Sequence, residues 1–431
     1  MEGDAAARTH PSGGGAIHPL VTKIFGALDR AGVTWALLRG EEALDPSAPD
    51  LDLLLLEADV PRAVDALEAL NFAPLPAWGR GSHRLFLTYA ADHDAWVKLD
   101  IVTELSFGQY GEIPTGCAKA CLARRVAVDG VWLLDDDDRF WALLLHCALD
   151  RPDVPERHAH RLHELSAAAD GRGPLGSWFG RHAPDQWTTA RALETARFGD
   201  LASISDLRRR MRADRRWRSA GSLALRLRSG ALRRLTKLRK LTVQRGLTIA
   251  LLGPDGVGKS TLSKALDRTF YFPVRSVYMG LYGPGPSGRT PRGLLERLGR
   301  QWNGYLKAMF HRSRGRLVVF DRFSYDASLR RTAGSRLRAR GRSWLLARSI
   351  PAPDLVVVLD APPQLLRARK DEHALEVLEA QRDAYLELAT RLRAVEVVRA
   401  DRSADEVRRD VTARIWNRYV ERWRGRAPVR P

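Results

Sequence analysis

The chain has 431 residues, 45% hydrophobic and 28% charged, so two or three domains with real cores are expected and overall disorder is excluded. Seventy Lys and Arg against 51 Asp and Glu leave a net charge of +19, while three cysteines (Cys117, Cys121, Cys147) are too few for a disulfide framework or a four-ligand zinc site. No apolar run approaches the ~18 residues of a membrane span, and a reducing cytoplasm fits best.

Residues 1–17 read as a disordered polar lead-in; they lack a signal peptide's basic flank and apolar core. From Trp35 a strand, a turn and a second strand follow, the second opening with Asp50-Leu-Asp52. Alternation at period 2 puts both carboxylates on one face. "WVKLDIVTEL" places Asp100 on a third strand. Two acids in Asp-x-Asp with one distant acid can hold a pair of Mg²⁺ ions for in-line attack on a nucleotide phosphate. The other reading is an α+β domain with ordinary surface aspartates. Residues 18–130 resemble the nucleotidyltransferase superfamily related to polymerase beta, with Gly40 as the glycine before the metal strand. Glu41 departs from that family's Gly-Ser pair, and a glutamate there would repel a triphosphate.

"DDDDRFWALLLHCALDR" and "ERHAHRLHELSAAA" predict helices, and a helical cap is expected over 131–207. The acids Asp135–Asp138 suit a helix start, where the dipole favours negative charge. His158, His160 and His163 suggest a metal, but only the last two share a helix face and no acid or cysteine spacing completes a site. Cys117 and Cys121 share a helix face as spectators.

Residues 208–245 carry fifteen Arg or Lys and one acid, Asp214, and Leu232, Leu235, Leu238 and Leu241 recur three apart. This predicts a basic amphipathic connector. Nucleic acid or an anionic membrane surface could bind it, but a linker or packing helix is the favoured reading.

"LTIALLG", 247–253, is a buried parallel strand by composition. Gly253-Pro-Asp255-Gly256-Val257-Gly258-Lys259-Ser260 follows, fitting G-x-x-x-x-G-K-[ST], and Thr261 continues into a helical pattern. Glycines let the backbone N–H groups converge on one anion, and the helix start adds partial positive charge. Lys259 is expected to reach the outer phosphates of ATP, and the Ser260 hydroxyl to ligate Mg²⁺. A second run, 316–320, ends in Asp321-Arg322-Phe323. An acid at that strand end lies where it can hold Mg²⁺. A third run, 353–363, precedes Arg367, Arg369 and Lys370, expected as a cationic lid.

Residues 246 to about 420 resemble the thymidylate kinase family of P-loop kinases. The matching segments are "GPDGVGKST", "DRF", "PDLVVVLDAPP" and "RDAYLELA". The resemblance implies that Asp255 faces the acceptor and that Arg322 and Arg300 contact it. The family's Arg-Glu-Pro-Gly-Gly segment is replaced by a glycine- and proline-rich loop, 277–293, and Glu296 stands where the family stacks an aromatic residue on the base. These departures fall on the acceptor side.

The expectation is an α/β P-loop kinase domain over 246–425, preceded by an α+β nucleotidyltransferase-like domain. Its activity would be transfer of phosphate from ATP, with Mg²⁺, to a small-molecule acceptor, a nucleoside monophosphate or related phosphorylated compound. A sugar or other metabolite is the alternative acceptor, and a nucleotide-binding regulator acting through the connector is the alternative class. A homodimer is left open.

Overall fold

A computed structural model describes residues 17–39, 50–75, 81–108, 111–150, 154–213, 227–228, 230–231, 246–281, 293–329 and 337–424. The chain divides into two compact units, residues 1–236 and 237–431.

The first unit holds α1 (Pro19–Arg30), β1 (Trp35–Arg39), β2 (Asp50–Leu55), α2 (Val60–Ala69), β3 (Ala73–Leu75), β4 (His83–Ala90) and β5 (Ala95–Val102). A small hairpin, β6 (Ser106–Phe107) and β7 (Ile113–Pro114), then leads to α3 (Ala118–Ala123), β8 (Val126–Val128) and β9 (Val131–Leu133). Helices α4 (Asp136–Leu145), α5 (Glu156–Ser166), α6 (Pro174–His182), α7 (Thr189–Arg197) and α8 (Leu201–Ala213) follow.

Seven strands form one mixed sheet in the order β3-β4-β5-β2-β1-β9-β8. Alternation gives the sheet two apolar faces. Trp35, Leu37, Leu51 and Leu53 meet Ile24 and Phe25 of α1 and Leu67 of α2. Ala36, Leu54 and Val102 point the other way, into a core shared with Trp141, Phe179 and Leu207 of the helical layer. The helices after residue 131 therefore share a core with the sheet. The expected border at 130/131 falls inside the β8–β9 hairpin, where Asp129 and Gly130 both take positive φ.

The acid run does more than start a helix. Asp135 caps α4 through Asp137 N–H. Asp137 is buried and accepts from the Trp141 indole and from the backbone N–H groups of Asp170, Gly171 and Gly173, at 2.7–3.0 Å. It ties the turn before α6 to α4.

The second unit holds β10 (Thr248–Leu252), α9 (Lys259–Thr269), β11 (Val274–Tyr278), α10 (Leu294–Ser313), β12 (Leu317–Asp321), the short α11 (Asp326–Leu329) and α12 (Leu337–Arg348). It continues with β13 (Leu355–Asp360), α13 (Pro363–Arg369), α14 (Leu375–Arg391), β14 (Val395–Arg399) and α15 (Ala404–Arg424). Its five strands are all parallel, in the order β11-β12-β10-β13-β14. Buried on both faces, they read as continuous apolar runs. Ile249 and Leu251 pack toward Leu262 and Leu266 of α9 and Val411 of α15. Ala250 and Leu252 pack toward Ala308 of α10 and Ala389 of α14. The fold is mixed α/β with a parallel sheet, consistent with a P-loop kinase.

Of the expected features, the lead-in, the Gly40-Glu41 pair, most of the connector and residues 282–292 of the acceptor-side loop lie outside the described residues. No described helix is long and apolar enough to cross a membrane.

Candidate active site

In a parallel sheet ligands bind beyond the carboxyl ends of the strands. The central strand β10 ends at Leu252, and the glycine loop leads from there to α9, which starts at Lys259. Gly253, Gly256 and Gly258 take φ of 143°, 85° and 101°. A Cβ on Gly253 would stand 2.6 Å from the Leu359 carbonyl oxygen of β13, and one on Gly256 would stand 3.0 Å from that of Leu366 in α13. A Cβ on Gly258 would meet nothing within 4 Å: that side of the loop is open. Loop and helix start thus offer an open anion cradle, which fits the phosphates of a nucleotide. Val257 is buried and anchors the loop, while Ser260 and Thr261 are exposed in the first turn of α9.

Lys259 Nζ donates to the carbonyls of Gly253 and Pro254, each at 2.8 Å. Burial pulls its pKa below the usual lysine value, against the opposing fields of Asp255, Asp326 and Asp321. Asp255 sits among basic side chains. Its Oδ1 accepts from Arg322 Nη2 at 3.0 Å and lies 3.9 Å from Lys259 Nζ, and its Oδ2 is 3.8 Å from His373.

Asp321 is the last residue of β12, opposite Leu251 of β10 and Tyr278 of β11. Asp321 and Ser260 supply hard oxygen donors of the kind Mg²⁺ takes. Arg322 turns away from the strand with φ 63°, a left-handed conformation that a non-glycine residue adopts only under tertiary constraint. Burial works against its charge, but Asp255 and Asp326 prevail and hold its pKa above the usual arginine value.

Asp326 and Tyr385 escaped the sequence reading. The Tyr385 hydroxyl donates to Asp326 Oδ1 at 3.2 Å across 59 residues of sequence. Burial raises the Asp326 pKa to about 6, opposed by Arg322, Lys259 and the Tyr385 hydrogen bond. Burial also pushes the Tyr385 phenol up. An acid five positions after Asp321 in a short, mostly apolar turn was the available signal, but no spacing rule connects it with Tyr385.

Arg300 donates to the Gly280 carbonyl at 3.2 Å, just after β11. Arg367 pairs with Asp371 at 3.1 Å, and Arg369 donates to the Ala400 carbonyl at 3.0 Å. The lid stretch approaches the glycine loop through Leu366 and Lys370, each within 3.4 Å of a Cβ built on Gly256. Arg382 makes a two-pronged bond to Asp360, at 2.6 and 2.9 Å, at the end of β13. Glu296 lies exposed in the first turn of α10.

In the first unit, β2 and β5 run parallel with Asp52 opposite Asp100 and Asp50 opposite Lys98. The register brings the three acids into adjoining positions on one face. The side chains of Asp50 and Asp100 are engaged by neighbouring basic groups. Lys98 Nζ binds both oxygens of Asp50 at 3.0 Å, and His83 Nδ1 lies 2.8 Å from Asp100 Oδ2. Asp100 is buried with Oδ1 unpartnered. No group of three acids, histidines or cysteines among the described residues is arranged to hold a metal. His158 lies 3.7 Å from Cys147 Sγ, His160 lies 3.2 Å from Glu164, and His163 bonds the Arg197 carbonyl. All three cysteines are free and buried.

No known protein-family profile matches the chain. A probable thymidylate kinase of Sulfolobus acidocaldarius is 25% identical over 185 residues, 37% of this chain and 91% of that protein. The solved thymidylate kinase of Candida albicans aligns at 18% identity with a TM-score of 0.31, over 39% of this chain and 89% of that one. The chain thus carries thymidylate kinase homology over about 37% of its length, which supports a nucleotide kinase at the level of the family.

Proposed function

We propose that the second unit is an ATP- and Mg²⁺-dependent kinase acting on a phosphorylated small molecule, most simply a nucleoside monophosphate. The observation that carries this is the meeting of the Lys259 loop with the Asp255–Arg322 pair beyond the carboxyl ends of neighbouring strands. A phosphate donor cradle and a cation for a second anion then lie side by side. Phosphoryl transfer needs little else from protein beyond position and countercharge.

The geometry supports the following roles. Backbone N–H groups of 255–260 and Lys259 would hold the ATP phosphates, with Lys259 exchanging its two carbonyl partners for phosphate oxygens. Ser260 and Asp321 would hold Mg²⁺, which supplies countercharge between the phosphates. Arg322 would receive the acceptor phosphate, and Asp255 would fix that arginine and orient the acceptor. Arg300 would border the acceptor recess. Arg367 and Arg369 would serve the lid only after leaving Asp371 and Ala400.

Glu296, a carboxylate in place of a stacking ring, argues against thymidylate as the preferred acceptor. The test is ADP formation by the full chain with Mg-ATP and a range of acceptors. Acceptor-independent hydrolysis, or none, would favour the regulator instead.

A second reading concerns the first unit. The Asp52–Asp100 register supports a nucleotidyltransferase-like sheet, whereas the Asp50–Lys98 pair and the lack of a metal-ready cluster among the described residues weigh against a working metal site. Melting with and without Mg²⁺ tests it, since a ligand of the folded state alone raises Tm. Asp52→Asn should remove any gain.

A further inference from the structure

The acceptor recess contains more negative charge than a phosphate-binding site needs. Arg322 is shared by two carboxylates, Asp255 in hydrogen-bond contact and Asp326 within electrostatic reach. Lys259 faces the same two acids together with Asp321. A phosphate dianion that docks on Arg322 must therefore approach two carboxylates. Like charges at such distances are costly unless one is neutralised.

Asp255 is bound by Arg322 at 3.0 Å, with Lys259 at 3.9 Å and His373 at 3.8 Å. Asp326 is placed differently. It lies on the short α11, and its direct side-chain partner is the neutral Tyr385 hydroxyl of α14. The groups that face it are Arg322 and Lys259, which favour its anion, Asp255, which disfavours it, and Tyr385, which steadies it by a hydrogen bond.

We propose that Asp326 is a positioning residue of the acceptor site, acting through Arg322, and that a phosphate-bearing acceptor takes up one proton at Asp326 as it binds. This rests on the kinase reading above and adds its acceptor side. While Asp326 is ionised it competes with the incoming phosphate for Arg322. Once protonated it releases the full charge of Arg322 to the acceptor and can still donate a hydrogen bond. The free-state value of about 6 places the switch near neutrality. The sign follows: affinity for the anion is full below that value and falls as pH rises above it, by up to about tenfold per unit.

Sulfate is the probe, because it stays a dianion across this range while a phosphate ester titrates near pH 6. The full chain is saturated with Mg²⁺ and a non-hydrolysable ATP analogue to fill the donor side. Sulfate affinity is then read from the melting shift at about pH 6 and about pH 8 at constant ionic strength. The expected result is a Kd that rises roughly tenfold or more between the two. Asp326→Asn should remove that dependence and bind sulfate tightly at both values. Tyr385→Phe, which withdraws a hydrogen bond from the anion, should move the transition to higher pH.

A pH-independent Kd in the unmodified chain, an equal dependence in Asp326→Asn, or no sulfate binding would each overturn the proposal. A kcat loss in Asp326→Asn with unchanged KM would also overturn it, since that is the mark of a base acting on a hydroxyl acceptor. Failure of the ATP analogue itself to raise Tm would instead remove the kinase reading.

Discussion

Lys259→Met is the sharpest single perturbation of the donor side. Methionine keeps the length and apolar packing of the stem and deletes the ammonium. In the resting site that ammonium makes two hydrogen bonds at 2.8 Å, to Gly253 and Pro254, and faces Asp255, Asp326 and Asp321. With ATP bound, the same two donor directions would serve phosphate oxygens. A charged donor contributes about 1.5–3 kcal/mol per hydrogen bond, and loss of one preorganised transition-state donor costs about 2.7–4 kcal/mol. We therefore expect kcat/KM for ATP to fall by at least roughly a hundredfold, or about 2.7 kcal/mol. Fold stability should change little, because the burial that disfavours the ammonium is relieved as its bonds are lost. The assay is coupled ADP release, with a melting curve alongside. Turnover within about threefold of the unmodified chain would refute the reasoning, as would a loss explained by unfolding.

Gly253→Ala should weaken ATP binding and cost about 2–4 kcal/mol, since a methyl group would face the Leu359 carbonyl at 2.6 Å with φ at 143°; urea midpoints and nucleotide-induced melting shifts check both effects. Asp137→Ala should destabilise the first unit by at least about 3 kcal/mol, because it strands the Trp141 indole and three backbone N–H groups; a urea titration that shifts by less than ~1 kcal/mol would contradict the hub. Burial raises Asp138 to about 6. The folded state then holds that proton more tightly than the unfolded chain, so its stabilising effect is complete below about pH 4 and is lost as pH rises through about 6. The stability gap between the unmodified chain and Asp138→Asn should shift by about 2–3 kcal/mol over that window in urea titrations; a constant gap would show that Asp138 is not the titrating group.

The donor side was legible because its signal is local. Eight consecutive residues set the glycine loop, and the strands on either side of it are unbroken apolar runs, as both-face burial demands. Asp321 and Arg322 were readable from one strand end. The side-chain contacts that hold the acceptor side and the lid were not, because they join distant segments. Nothing near residue 326 announces Tyr385, and nothing near Arg369 announces the Ala400 carbonyl that holds it. The expected 130/131 border falls on a turn for a different reason. "VAVDGVWL" is a hairpin signature, Asp-Gly between alternating apolar residues, and the helical pattern after it drew the boundary onto its turn. For Asp50 and Asp52, alternation along β2 was enough to place them on one face, but the position of Asp100 beside them comes from the β2–β5 register. The engagement of Asp50 by Lys98 depends on inter-strand register, which alternation does not encode.

The central claim is that the Lys259 loop passes a phosphoryl group to an anion held by Arg322. It is tested most directly by incubating the full chain with γ-labelled Mg-ATP and a set of nucleoside monophosphates and sugar phosphates, then following label into product. The account predicts label transfer to at least one phosphorylated acceptor, thymidylate among the poorer ones, with transfer lost in Lys259→Met and acceptor KM raised in Arg322→Ala. Label released only as inorganic phosphate, at a rate indifferent to every acceptor and to Arg322→Ala, would contradict it.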